Sequence, residues 1–331
     1  MADMTPPAGA ASFLAAHGWG DARIAPLAGD ASFRRYFRVH HGARTAVLMD
    51  APPPHEDPAP FVAMANWLSE RDFIAPAILA LDLDQGLVLL ADLGDVRFRE
   101  TVDAHGDEQA MYADAVDLLV ELARHPAGPL EPYDVATMQR EASLFVDWYC
   151  PAVGLDVDVQ GYAAAWDKVL GRALTPEPVT VLRDYHAENL MLVGSGQEGR
   201  GRLGLLDFQD ALAGHPAYDL VSLLQDARRD VDPAVEGAML ARYRAATGAG
   251  DDFLDAYHVL GAQRNAKIVG IFTRLWKRDG KPRYPGLCPR VWSYLERDLS
   301  EPVLAPVARW FDDNVPPELR GDPLRLSGGA R

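Results

Sequence analysis

Three apolar runs, at residues 179–182, 190–193 and 203–206, are so closely spaced that the chain between them has room only to turn, and each turn carries a polar side chain. Asp184 follows the first run, Asn189 immediately precedes the second, and Asp207 follows the third. Runs of this length predict three short buried strands. The segment 194–201, with four glycines, predicts a flexible hairpin between the last two. A sheet that presents acids on its connecting turns holds them in constant geometry.

The residue types suit one chemistry. Asn189 and Asp207 offer hard oxygen ligands, and Mg²⁺ favours a few such oxygens together with water and nucleotide phosphates over a closed protein cage. Asp184 is then left to accept a hydroxyl proton. An acid, an amide five residues on and a second acid after a hairpin is the layout that phosphoryl transfer from ATP requires around magnesium. Taken singly, each has an ordinary alternative: an acid and an amide at this spacing recur by chance, and Asp207 is also a normal turn acid after a strand.

The sequence Arg183-Asp184-Tyr185-His186-Ala187-Glu188-Asn189, taken with Leu206-Asp207-Phe208-Gln209-Asp210-Ala211, resembles the catalytic and metal-binding loops of the aminoglycoside phosphotransferase family, relatives of the eukaryotic-type protein kinases. Within that family the likeness is greatest to bacterial kinases that phosphorylate the anomeric hydroxyl of N-acetylmuramate and N-acetylglucosamine. Residues 29–39, 47–53, 263–265 and 270–272 carry the same resemblance, which spans roughly residues 10–315. It implies a two-lobed α+β fold of the protein-kinase type. A small N-lobe of five antiparallel strands (residues 1–92) would bind ATP, and a larger, mainly helical C-lobe (residues 93–331) would hold the catalytic loop, the metal site and the acceptor pocket.

Composition agrees. A chain of 331 residues that is 48% hydrophobic can bury a substantial core and form two domains. The formal net charge of −16 sets up a field that repels phosphate, which argues against nucleic acid and anionic membranes as partners. Cys150 and Cys288 are the only cysteines, too few for a disulfide framework or a thiolate metal site. The start lacks a basic region, and the apolar patch 10–16 is too short for a signal or an anchor, so a cytoplasmic monomer is expected.

Periodicity predicts a short helix at 10–17 and strands near 23–27, 34–39 and 45–49. Phe61, Met64, Ala65 and Leu68 recur at helical spacing, predicting a helix over 60–70, and strands follow at 77–81 and 87–91. The N-lobe ends at Asp92-Leu93-Gly94-Asp95, where Asp92 and Leu93 are placed to pair an adenine through their backbone; a plain turn is the alternative.

Gly29-Asp30-Ala31-Ser32 holds the place of a glycine-rich phosphate loop with a single glycine. Backbone N–H groups of Ala31 and Ser32, the Ser32 hydroxyl and the guanidinium of Arg34 or Arg35 are the candidate phosphate ligands. A solvent-facing turn is the alternative. Protein kinases place a lysine on the third strand to hold the phosphates, and Met49 stands there instead. Its usual helix glutamate is matched by Val62. A buried glutamate without its lysine would cost about 3–5 kcal/mol, so loss of one favours loss of both. Arg34, Arg35 or Arg38 is then expected to neutralise the nucleotide. Without such a cation the chain would be a nucleotide-binding scaffold.

His186 is a candidate substrate hydrogen bond or a packing contact, being a poor magnesium ligand. Asp210 is a candidate sugar contact, and Asp219 a support for the catalytic loop. From Gln263 to Arg290 eight basic residues face one acid, a local balance of +7 in an acidic chain. Arg264, Lys267 and Arg274 share a helical face. That face is either solvated or the wall of a pocket for an anion, such as the lactyl carboxylate of N-acetylmuramate, which bidentate arginine suits. A cationic antibiotic would call for acids there. Trp148, Trp276 and Trp292 are candidates to stack on a sugar ring or to fill the core. The enzyme expected is an ATP- and Mg²⁺-dependent kinase of a small amino sugar; a kinase of an aminoglycoside, choline-like alcohol or homoserine is the alternative.

Overall fold

A computed structural model describes residues 5–27, 34–105, 107–175, 177–194 and 202–328. Along the chain come α1 (Ala10–Ala16), β1 (Arg23–Pro26), β2 (Arg35–His41), β3 (Arg44–Asp50), α2 (Ala59–Ser69), β4 (Ile78–Asp82), β5 (Leu87–Ala91) and α3 (Phe98–His105). There follow α4 (Glu108–Leu122), α5 (Val135–Ala142), α6 (Cys150–Ala152), α7 (Val159–Asp167), β6 (Val179–Val181), β7 (Leu190–Val193), β8 (Arg202–Leu205) and β9 (Leu212–Gly214). The rest is helical: α8 (Ala217–Leu224), α9 (Pro233–Thr247), α10 (Asp251–Lys277), α11 (Cys288–Leu299), α12 (Ala305–Asn314) and α13 (Pro323–Gly328). The fold is α+β, and no described helix is long and apolar enough to cross a membrane.

Two compact units result, Met1–His105 with Glu188–Ala211, and Gly106–Ala187 with Leu212–Arg331. Packing thus carries the first unit past residue 92 and adds the hairpin of β7 and β8 to it. Its sheet has the order β1-β2-β3-β5-β4 with every neighbour antiparallel, as the strand pattern predicts. Phe13 and Leu14 of α1 join Phe37, Val39, Leu48 and Leu89 in one core cluster. Each such side chain contributes about 1.5–3 kcal/mol on burial. The helix expected over 60–70 is α2, and its Phe61 stacks on Phe208 with ring centroids 5.0 Å apart.

In the second unit α10 is the longest helix, with Asp251 and Asp252 in its first turn and Arg274 and Lys277 in its last, the arrangement that complements the helix dipole. Gly270 lets it cross the turn at Leu144 closely, since a β-carbon there would lie 2.3 Å from the Leu144 carbonyl. Trp292 is buried among Phe145, Tyr149 and Phe311, so it is a core side chain and not a sugar platform. Cys150 and Cys288 are buried free thiols.

The three runs at 179–206 do not form one sheet. β7 and β8 make a hairpin in the first unit, whereas β6 pairs antiparallel with β9 in the second. β9, Leu-Ala-Gly, carries no strand-favouring pattern of its own and takes its form from β6.

Candidate active site

The β7–β8 register pairs Leu190 with Leu205, so Asn189 and the residues after Leu205 emerge at the same end of the hairpin. Leu206 N–H donates to the Asn189 carbonyl at 3.0 Å, and Asn189 Nδ2 lies 3.5 Å from Asp207 Oδ2. Gln209 Nε2 donates to Asp207 Oδ1 at 2.8 Å and reaches Asp210 Oδ2 at 3.4 Å. Asp207 sits in the left-handed region with φ 58°, a conformation that costs a non-glycine residue about 1–2 kcal/mol. Its hold comes from Phe208 against Phe61 and from Leu205 N–H on the Ile74 carbonyl. Glu188 pairs with Arg99 of α3, which fixes the loop beside Asn189. An amide and a carboxylate this close, both exposed or half-buried, form a pair of hard oxygen donors of the kind Mg²⁺ accepts.

The nucleotide candidates of the first unit divide clearly. Ala31 and Ser32 lie outside the described residues. Met49 is fully buried on β3 opposite Tyr36 and Val88, so the lysine position holds a core side chain. Arg35 donates to Asp50, its cross-strand partner, at 2.8 Å. Arg38 grips the 92–95 segment: Nε lies 2.9 Å from Asp92 Oδ2, Nη1 2.7 Å from Asp95 Oδ1, and Nη2 3.2 Å from the Gly94 carbonyl. Leu93 packs toward Gly204 of β8, where a β-carbon would approach Leu93 Cδ1 to 2.9 Å. Arg34 takes Glu56 as its partner, Nε to Oε2 at 3.1 Å. The Arg34 guanidinium lies beside the Tyr36 phenol, and the charge of Asp207 reaches both. Burial pushes the Tyr36 phenol up to about 12, so it stays neutral.

In the second unit the turn after β6 is tied from beneath. Asp219 of α8 accepts from Leu182 N–H at 2.7 Å and from Arg183 N–H at 2.8 Å. Burial raises its pKa to about 7, against the pull of those two donors and of Arg264. Ser222 Oγ donates to the Arg183 carbonyl at 3.0 Å and receives Arg264 Nη2 at 2.8 Å. Arg183 is left-handed, φ 69°, and its guanidinium pairs with Glu141 of α5. Lys267 Nζ lies 2.8 Å from Glu141 Oε1, and Tyr133 donates to Oε2 at 2.7 Å. Burial alone would raise the Glu141 carboxyl, but Lys267 and Arg183 hold it below the ordinary range. Asp184 follows in a tight turn, its N–H on the Leu182 carbonyl and its own carbonyl accepting from His186 N–H. Ala187 N–H reaches Asp226 at 3.3 Å.

The structure therefore brings Asn189 and Asp207 together in one unit, where the charge of Asp207 also reaches Arg34, and supports the Asp184 turn through Asp219 and Arg264 in the other. His186 is only 4% exposed and its Nε2 lies 3.2 Å from Arg228. Arg264, expected on a pocket wall, is buried instead against Ser222 and the Tyr218 ring, because Asp219 nearby needs a counter-charge. Lys267 is taken by Glu141. Arg274 is half-buried, and its Nε has no hydrogen-bond partner among the described residues. Glu56, Tyr36, Glu141 and Arg228 were not legible from sequence.

The comparisons with known proteins point one way. A model of the phosphotransferase enzyme family matches residues 23–257. A Caulobacter vibrioides protein named N-acetylmuramate/N-acetylglucosamine kinase is 39% identical, over 94% of this chain and 97% of its own. One of the same name from Pseudomonas aeruginosa is 42% identical, over 88% of this chain and 89% of its own. Among solved structures, a choline/ethanolamine kinase family protein from Mesorhizobium loti covers 99% of this chain and 98% of its own at 13% identity, with a TM-score of 0.57. That last likeness is one of fold, the protein-kinase-like fold.

Proposed function

Because the chain belongs to the phosphotransferase enzyme family, we propose that it transfers the γ-phosphoryl group of ATP to the anomeric hydroxyl of N-acetylmuramate or N-acetylglucosamine, giving the sugar 1-phosphate. The observation that carries this reading is the near full-length similarity, at 39% and 42% identity, to two kinases so named. On this reading the protein is a cytoplasmic monomer that serves the reuse of cell-wall sugars.

Each part follows from the residues. Asp184 orients the acceptor hydroxyl and takes its proton; an anomeric hydroxyl is more acidic than an ordinary alcohol, so positioning outweighs basicity. Asn189 and Asp207 would hold Mg²⁺, which when bound neutralises charge on the phosphate oxygens. The backbone of Asp92 and Leu93 pairs the adenine, with Arg38 anchoring that segment. Asp210 contacts the sugar, while His186 supports the loop through Arg228. Arg274 is the cation of the basic stretch assigned to an acceptor carboxylate, since Arg264 and Lys267 have protein partners.

Incubation with ATP, Mg²⁺ and a panel of acceptors, followed by phosphorus NMR, tests the reading. A 1-phosphate on either amino sugar supports it, and phosphate on an antibiotic or choline hydroxyl rejects it. Asp184→Asn is expected to lower kcat by about 10²–10⁴-fold, with the ATP KM nearly unchanged. Wild-type turnover in that variant would remove Asp184 from the mechanism.

A further inference from the structure

Residues 1–105 and 188–211, the sequence of the first unit, contain no lysine at all. Any fixed cation that this unit offers to a nucleotide must therefore be an arginine. Arg35 is spent on Asp50, Arg38 on Asp92 and Asp95, and Arg99 on Glu188. Arg44 lies over the Trp19 ring and Arg71 over Trp67. Arg34 pairs with Glu56, and the charge of Asp207 reaches its guanidinium.

We propose that Arg34 is the phosphate-binding cation of this enzyme, and that Glu56, with Tyr36, positions it in place of the third-strand lysine and its helix glutamate. The assignment rests on Asn189 and Asp207 being the metal pair. The side chains of Arg34 and Glu56 are only 13% and 16% exposed, so neither charge is tolerable without the other. Glu56 engages the Nε edge and the Tyr36 phenol lies beside the guanidinium, which together restrict the orientation of the fork. A planar fork of fixed orientation recognises phosphate oxygens better than a mobile ammonium does. Moving the cation from β3 to the start of β2 also explains why Met49 can be a core residue.

Calorimetric binding of nucleotides to the full chain in Mg²⁺ tests this. Arg34→Ala is expected to weaken ATP and ADP about tenfold or more, while AMP binding and the sugar KM stay at wild-type values. Arg34→Lys should recover part of the loss, which separates the effect from misfolding. Glu56→Gln should weaken ATP in the wild-type background and add nothing once Arg34 is alanine. Wild-type ATP affinity in Arg34→Ala, an equal loss of AMP, or a Glu56→Gln effect that persists without Arg34 would each overturn the proposal. The underlying metal assignment is read separately: Asp207→Asn should abolish the Mg²⁺ dependence of ATP binding, and if that dependence survives, the metal pair and not Arg34 is misassigned.

Discussion

Met49 is fully buried with Tyr36 and Val88 as its cross-strand neighbours, so an ammonium placed there would be buried without a partner carboxylate from the cross-strand positions. Met49→Lys is accordingly expected to cost about 3–5 kcal/mol without raising ATP affinity. Thermal unfolding and a nucleotide titration check it, and tighter ATP binding would show that the position still faces phosphate. The residues legible in the sequence were those that carry their own local signal. Asp184, Asn189 and Asp207 each stand at the end of an apolar run, and Met49 is conspicuous where a lysine belongs. Glu56 and Glu141 had no such mark. Their arginine partners are 22 and 42 positions away, and an ion pair across that distance leaves no periodicity behind.

At the scale of elements, α8 carries both Asp219 and Ser222 to the turn before Asp184, and its own start depends on His215. Ala217 N–H lies 3.1 Å from His215 Nδ1, an acceptor only while the ring is neutral. Burial holds that imidazole down at about 4, whereas an unfolded histidine titrates near 6.5. Between those values the unfolded chain binds the extra proton, so stability climbs with pH from about 4 to 6.5 and is lost on acidification. The span is worth about 2–3 kcal/mol. His215→Asn keeps an acceptor but does not titrate, and should flatten this limb of a melting-temperature profile; an unaltered acid limb would acquit His215. Strands and helices of the first unit were readable because alternation and helical spacing are local. Partner choice was not. The same three apolar runs fit one sheet or two, and β6 finds its partner in β9, beyond the β7–β8 hairpin.

For the molecule as a whole, the net charge of −16 works against compaction. Raising ionic strength from about 0.01 M to about 0.15 M shortens the Debye length from about 30 Å to about 8 Å, so the melting temperature is expected to rise by a few degrees. A fall would mean that exposed ion pairs such as Arg242 with Asp117 outweigh the repulsion. Glu141 bears on how such a protein is controlled. Loops of many kinases wait for an added phosphate group to capture an arginine and set them in order. Here Arg183, which precedes Asp184, already pairs with an internal carboxylate, itself shared with Lys267 and Tyr133. The dock an added phosphate group would seek is thus filled from within the fold, and the turn carrying Asp184 is ordered without a covalent modification.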